Sequence, residues 1–265
     1  MSDDPRDWIA ILRESHDRLV KLVQPMTPDQ IRAQSYCRDW TNAQVLSHLG
    51  SGAEIALLTL PGALGTGEPV GRDAFQPVWD EWNAKAPDAQ AADALDADER
   101  HIATLEGFSN AELAAARLDF FGMQLDAVGI VRLRLGEHVL HTWDLAVLQD
   151  PDATLQADAV DLLIDNVPQF LAPRLGKPLP EPFAARITTS DPVRDYLLTS
   201  GESITMENWP GTLPEVGTDA VPHVTMPAEA LLRLAYGRLD PQHTPASVTA
   251  DPDALDKLRA IFPGF

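Results

Sequence analysis

The segment from Phe121 to Leu148 is the longest stretch of helical periodicity in the chain, and it constrains the fold more than any other feature. Apolar residues occur on nearly every side of the predicted helix, which is typical of a helix inside a helical protein. Glu137 and His141 lie four residues apart in it and therefore share one face. A carboxylate buried there without a partner is costly, and a bound cation would offset that cost. The segment predicts both a helical core and a metal-binding position.

Three more long helices are predicted in the first 174 residues. They cover residues 7–23, 42 to about 60, and 91–105, the second opening with a capping box at Thr41. Shorter helices are expected after Thr27, over 75–84, after Ser109, and over 157–171, where Pro168 is a candidate kink. Four long amphipathic or apolar helices in this arrangement favour a four-helix bundle.

The composition changes after Arg174. Three prolines, Pro178, Pro180 and Pro182, indicate a linker. Short β-like runs follow at residues 184–189, 203–207, 223–225 and 246–250, with helices predicted over 226–234 and 252–261. We therefore predict two domains, a helical bundle over residues 1–174 and a small α+β domain over residues 175–265.

Charge and cysteine content narrow the function. The 265 residues carry a formal net charge of −20, which disfavours nucleic acid and anionic membrane as partners and suggests that an anionic substrate needs a local arginine. The N-terminus has no secretory pattern, and no apolar run is long enough to span a bilayer. The one cysteine, Cys37, excludes an intramolecular disulfide and a cysteine-based zinc site. We expect a cytoplasmic protein.

His48 supplies a third candidate ligand far upstream of Glu137 and His141. Two imidazole nitrogens and one carboxylate oxygen, with a coordination position left open, are typical of a catalytic rather than a structural metal site. The alternatives are a hydrogen-bonded core histidine at 48 and a simple surface pair at 137 and 141. His138, three residues before His141, is a lesser ligand candidate.

Several residues near these ligands are open to more than one interpretation. Asp144 follows Glu137 by seven residues, and it either accepts a ligand N–H, orients a substrate, or is an exposed helix charge. Cys37 is a candidate nucleophile, but a buried inert cysteine is the favoured interpretation. Trp40 and Trp143 are expected in the core or in a pocket wall.

Two segments carry a family resemblance. Residues 40–49 (WTNAQVLSHL) and 136–145 (GEHVLHTWDL) resemble the two signature segments of the mycothiol-dependent maleylpyruvate isomerase family, which belongs to the DinB-like superfamily of metal-binding four-helix bundles. Residues 230–239 (ALLRLAYGRL) and 261–265 (IFPGF) are similar to that family's C-terminal α+β domain. The resemblance covers nearly the whole chain. It implies a mainly α fold, with a DinB-like bundle followed by a small α+β domain.

The resemblance also implies a chemistry. His48, Glu137 and His141 would hold a divalent metal, expected to be Zn²⁺, and mycothiol would be the cofactor or co-substrate whose thiolate is the nucleophile. The expected enzyme is an isomerase or a thiol S-transferase acting on a small electrophile such as a maleylpyruvate-like compound. Trp40, Asp144 and Arg238 are candidate cofactor-binding residues. Arg238, and less surely Arg233, would anchor an acidic substrate or support the pocket, unless they form surface salt bridges.

Two rival functions follow from the same residues. In the first, the metal activates water and the protein is a hydrolase, with Asp144 as the one obvious spare base. In the second, the metal stabilises the fold of a non-catalytic binding protein. An open coordination position disfavours the second, because structural sites are usually closed.

Overall fold

The computed structural model describes residues 3–211 and 221–264. Phe265, which ends the closing segment of the family resemblance, lies outside the described residues. Contacts divide the chain into two compact units, the first ending at Ala153 and the second beginning at Thr154. The helices of the first unit are α1 (Pro5–Val23), α2 (Pro28–Arg32), α3 (Asn42–Ala63), α4 (Phe75–Ala84), α5 (Pro87–Gly107), α6 (Asn110–Ala115) and α7 (Ala127–Ala146).

Capping boxes start the helices where the sequence predicts them. Before α3, the Thr41 hydroxyl accepts from the Gln44 amide, and the Gln44 side chain accepts from the Thr41 amide. Thr27 and Ser109 cap α2 and α6 in the same way. α3 continues to Ala63, beyond the predicted end near Leu60, with Pro61 inside its last turn. These caps satisfy amide groups that a helix leaves unpaired at its start.

The longest predicted helical segment, residues 121–148, begins six residues before the helix in the structure. α7 starts at Ala127, where the Asp126 carboxylate accepts from the Gly129 amide at 2.8 Å. The residues before it form a hairpin of β1 (Leu118–Phe120) and β2 (Met123–Leu125). Its turn places Phe121 and Gly122 at φ values of 53° and 82°, a left-handed backbone that ends any helix.

The four long helices, α1, α3, α5 and α7, pack as a bundle. α3 contacts α5 and α7, and α1 also contacts both. The bundle core contains large fully buried side chains, among them Trp8, Leu12, Leu46, Trp82 and Leu135. Together with the α+β second unit, this confirms the predicted mainly α fold class. Among the described residues, no helix combines the length and the apolar character needed to cross a bilayer.

The second unit contains a four-stranded sheet in the order β5-β4-β3-β6. Its strands are β3 (Phe183–Ser190), β4 (Arg194–Ser200), β5 (Ile204–Asn208) and β6 (His223–Pro227). β3 pairs with β4 antiparallel and with β6 parallel. β4 was missed by the sequence analysis, because its buried residues run consecutively and give no alternation. The strand predicted over 246–250 is reduced to one bridge between Thr249 and Thr225.

The segment 157–171 is interrupted rather than being one helix. It consists of α8 (Ala157–Leu163) and a π-helical turn (Val167–Leu171), and α9 (Ala172–Leu175) follows directly. Pro168, which has no amide hydrogen to donate, lies in the π turn. α8 contacts α10 (Ala228–Ala235), and α11 (Pro252–Ile261) ends the unit. The contact division at Ala153 therefore lies before the domain boundary predicted at residue 174, which stays a prediction.

Candidate metal centre

Three side chains from two helices converge in the bundle. His48 comes from α3, and Glu137 and His141 come from α7. Oε2 of Glu137 lies 3.0 Å from Nε2 of His48 and 3.5 Å from Nε2 of His141, and all three atoms lie within 4.8 Å of one another. Ligand atoms in a tetrahedral zinc site are about 3.3 Å apart, as follows from bonds of about 2.0–2.1 Å. The donor set and its spacing therefore fit a divalent cation.

The centre is partly open to solvent. The side chain of Glu137 is 47% exposed and that of His48 is 38% exposed, whereas that of His141 is only 9% exposed. The expectation that Glu137 is buried is therefore wrong. Partial burial raises the pKa of Glu137, but hydrogen bonds from His141 and His48 outweigh it and hold the pKa well below its usual range. Glu137 thus carries a negative charge at a position that small molecules can approach.

Asp144 contacts the ring nitrogen of His141 that does not face the other candidate ligands. Its Oδ2 accepts a hydrogen bond of 2.8 Å from Nδ1 of His141, and Asp144 is fully buried. The alternative of an exposed helix charge is therefore wrong. Burial lowers the pKa of His141, but the Asp144 carboxylate, Cys37 and Glu137 together raise it to about 10. With the proton fixed on Nδ1, Nε2 faces Glu137 and His48, so a cation and a second proton compete for it.

Cys37 lies beside the same carboxylate. Its Sγ is 3.1 Å from Oδ2 of Asp144, and the residue is half-buried. Cys37 is therefore only partly buried, contrary to the favoured interpretation, and its inertness stays a prediction. Sequence reasoning missed this contact because 107 positions separate the two residues and Cys37 lies in the loop before α3.

The two tryptophans near the ligands have different places. The ring of Trp40 lies 5.1 Å from that of His48 and 6.0 Å from that of His141, measured between centroids, so it forms a wall of the centre. Trp143 is buried in the bundle core, and its Nε1 donates to the carbonyl of Ala153 at 2.8 Å.

His138 is not part of this centre. It lies on another side of α7, where its Nε2 is 2.7 Å from Oδ2 of Asp98 and its Nδ1 is 2.8 Å from Oγ of Ser15. His138, the lesser ligand candidate, therefore contacts Asp98 and Ser15 instead of this centre.

The two candidate arginines belong to the second unit. Arg233 donates from Nε and Nη2 to Glu229 at 2.7 and 2.9 Å, and both residues are buried, so this pair is not the surface salt bridge considered above. Arg238 is also buried, and its Nη1 donates to the carbonyl of Tyr236 at 3.0 Å. The predicted substrate-binding role of Arg238 stays a prediction.

Comparison with known proteins points to one family. The family model described as the mycothiol maleylpyruvate isomerase N-terminal domain matches residues 12–146, a range that includes all three candidate ligands. A search of curated proteins gave no match.

Two solved structures share the fold. A crystal structure of the mycothiol-dependent maleylpyruvate isomerase is 15% identical, with a TM-score of 0.66 over 94% of this chain and 93% of that one. A histidine-to-alanine mutant of that enzyme gives a TM-score of 0.64 at 15% identity, over 89% of this chain and 90% of that one. At 15% identity the structural similarity establishes the fold alone. Family membership rests on the family model, which matches half of the chain. The chain belongs to the mycothiol maleylpyruvate isomerase N-terminal domain family.

Proposed function

We propose that this protein is a metal-dependent isomerase that uses mycothiol and acts on a small unsaturated electrophile of the maleylpyruvate type. One observation carries the proposal. Nε2 of His48, Oε2 of Glu137 and Nε2 of His141 converge within 4.8 Å, in a chain of this family. Zn²⁺ is the simplest occupant, because it accepts nitrogen and oxygen donors in this geometry.

Each residue of the centre has a separate task. A divalent cation held by His48, Glu137 and His141 would supply a Lewis acid that favours the thiolate form of a bound thiol. Glu137 contributes the negative charge of the ligand set and, being half-exposed, lines the side from which a small molecule enters. Asp144 positions His141 through Nδ1, so we propose that its part in cofactor binding is indirect.

The reaction itself needs little more from the protein than positioning. The thiol adds to a conjugated carbon–carbon double bond, the resulting single bond rotates, and the thiol is eliminated to leave the other geometric isomer. The indole of Trp40, beside both histidines, would exclude water from this space and restrict the orientation of the adduct. Arg238 is proposed to balance the charge of an acidic substrate.

The position of Asp144 disfavours the hydrolase. A hydrolase needs a spare base on the open side of the metal, but Oδ2 of Asp144 is fully buried and faces Nδ1 of His141, on the other side of the imidazole from Nε2. A thiol S-transferase would use the same residues and would differ only in keeping the thiol adduct as its product.

The decisive assay follows the cis–trans isomerisation of maleylpyruvate by the zinc-loaded protein, with and without mycothiol. We expect turnover only when both zinc and the thiol are present, and loss of turnover in Glu137→Gln. Glu81→Gln, which removes an exposed carboxylate on α4, is the matched control and should keep full activity. Turnover without thiol would contradict the proposal, and accumulation of a stable thiol adduct would assign the S-transferase instead.

Chelation separates the enzyme from the metal-stabilised binding protein. After zinc removal we expect the helical circular dichroism to persist while turnover stops, because the bundle core of apolar side chains forms independently of the centre. Cooperative unfolding of Glu137→Gln, which changes only this centre, would favour a purely structural metal there.

A further inference from the structure

A second cluster of metal-binding side chains lies in the core of the bundle, apart from the first. His16 of α1, Asp98 of α5 and His138 of α7 are all buried, with exposures of 4%, 0% and 0%. Oδ2 of Asp98 lies 2.8 Å from Nδ1 of His16 and 2.7 Å from Nε2 of His138. Three helices therefore bring two imidazole nitrogens and a carboxylate oxygen to one point.

Neighbouring groups orient these side chains from behind. Ser15 contacts the other ring nitrogen of His138 at 2.8 Å, and Arg134 donates to the other oxygen of Asp98 at 2.6 Å. With those partners on Nδ1 of His138 and Oδ1 of Asp98, the remaining atoms, Nε2 of His138 and Oδ2 of Asp98, point toward each other. Partners of this kind, which fix the tautomer and the rotation of a ligand, accompany histidine and carboxylate ligands in metal sites.

The charged groups around the cluster are paired with one another. Arg134 donates to Asp98, and Glu99, whose carboxylate lies 3.2 Å from Nε2 of His16, also forms an ion pair with Arg13. Glu99 therefore contacts the ring nitrogen of His16 that does not face Asp98, and it orients this ring as Ser15 orients the ring of His138.

An unpaired imidazole lies next to the cluster. His101, one turn after Asp98 on α5, is 1% exposed, and within the described part of the chain neither of its ring nitrogens has a hydrogen-bond partner. It interacts electrostatically with Arg134, Asp98 and His138. Burying a polar side chain without hydrogen-bond partners costs free energy. An ion in the cluster, or a water bound to that ion, would give His101 a partner.

The cluster also has a route to solvent. His16 and Glu99 line a groove of about 540 Å³ between α1, α2 and α5, whose other walls include Val20, Met26 and Leu95. An ion can therefore reach His16 without crossing the packed interior of the bundle.

We propose that His16, Asp98 and His138 form a second site for a divalent cation of the zinc type, separate from the centre at His48, Glu137 and His141. Oδ2 of Asp98 lies 2.7–2.8 Å from each of the two imidazole nitrogens, and each of these distances needs to lengthen by about half an ångström for tetrahedral coordination. Its role is to tie α1, α5 and α7 together, since each helix supplies one ligand.

Zinc stoichiometry of the full-length protein tests this site independently of the first. We expect two equivalents in the wild type, one in His141→Ala, one in His138→Gln and none in the double variant. His223→Gln, which changes an exposed histidine of β6, is the matched control and should keep two. A wild type that saturates at one equivalent, all of it lost in His141→Ala, overturns the second site and leaves the first intact.

Folding is checked separately. If His138→Gln does not fold, His16→Gln at the groove side takes its place. In His141→Ala, zinc at about 100 times Kd should raise Tm by about 5 °C, because a ligand of the folded state alone stabilises it. No zinc-dependent shift in that variant overturns the proposal. One equivalent kept in His141→Ala and lost in His138→Gln would support it even if the first centre failed to bind metal.

Discussion

The carboxylate of Asp144 accepts a hydrogen bond of 2.8 Å from Nδ1 of His141, one helical turn earlier on α7. This contact selects the tautomer in which Nε2 is available to the candidate metal. It also offsets the cost of burying the Asp144 carboxylate completely, because the carboxylate has a hydrogen-bond partner. The same hydrogen bond raises the pKa of His141.

Replacing this carboxylate should weaken metal binding without abolishing it. In Asp144→Asn the amide no longer stabilises positive charge on the His141 ring, so we expect zinc affinity to fall by about 10–100-fold. A competition titration against a chromophoric chelator measures the change. Asp17→Asn, an exposed position on α1, should leave the affinity unchanged. An Asp144→Asn protein with wild-type affinity would exclude the positioning role.

Removing a ligand should have a larger effect. In His48→Ala we expect zinc at the His48–Glu137–His141 centre and all isomerase activity to be lost, because two donors cannot close a catalytic site. The bundle should remain folded, since the His48 side chain is 38% exposed and contributes little to the core. Elemental analysis beside circular dichroism separates the two effects. Wild-type metal content and activity in His48→Ala would show that the ligand assignment is wrong.

The sequence allows the local part of the centre to be predicted and little of the rest. Glu137 and His141 share a helix face by spacing alone. His48 lies 89 positions before Glu137 and is a candidate by residue type, and no spacing argument brings it to that face, so the family resemblance is its main support. The Cys37–Asp144 contact joins a loop to a helix, so no periodicity reports it. His138 differs from His141 by less than one turn, yet packing on α1 and α5 directs it to Asp98.

The strands show a similar limit. β3 and β6 have β-like composition and are predicted, but β4 buries consecutive residues and has no alternating pattern to detect. The hairpin before α7 is hidden because its apolar residues continue the helical periodicity. Only Gly122, with its positive φ, carries a local signal for the turn.

A bidentate ion pair in the second unit should make stability depend on pH. Arg194 donates from Nε and Nη2 to Asp165 at 2.7 and 3.0 Å. These hydrogen bonds lower the pKa of Asp165, with burial opposing them. The folded pKa lies below the unfolded value of about 3.9, so the stabilisation is present above that pH and is lost as pH falls through the folded pKa.

Asp165→Asn should therefore lower the free energy of unfolding by about 1 kcal/mol near neutral pH, and the difference from the wild type should shrink below about pH 4. Urea unfolding at several pH values measures both. Asp161→Asn removes an exposed carboxylate near Arg194 that makes only a long-range contribution, and it should cost less. A penalty for Asp165→Asn that persists unchanged at low pH would indicate lost packing rather than lost charge.

The contact between Gly50 and Trp82 links core packing to the candidate metal centre. A Cβ at Gly50 would lie 2.2 Å from Cη2 of Trp82, whose ring is buried and whose Nε1 donates to Glu54 at 2.8 Å. Because burial and this hydrogen bond restrain the ring, we expect Gly50→Ala to shift α3, the helix that carries His48 two residues earlier.

We expect Gly50→Ala to lower the free energy of unfolding by about 1–3 kcal/mol, the usual cost of overpacking a core, and to reduce zinc affinity at the same time. Denaturant unfolding and zinc titration of the same preparation measure the two effects. Gly107→Ala, where an added Cβ meets nothing within 4 Å, is the matched control and should be neutral or slightly stabilising because alanine favours the helix. If Gly50→Ala is destabilised but binds zinc as tightly as the wild type, the shift is absorbed by Trp82 and α3 keeps His48 in place.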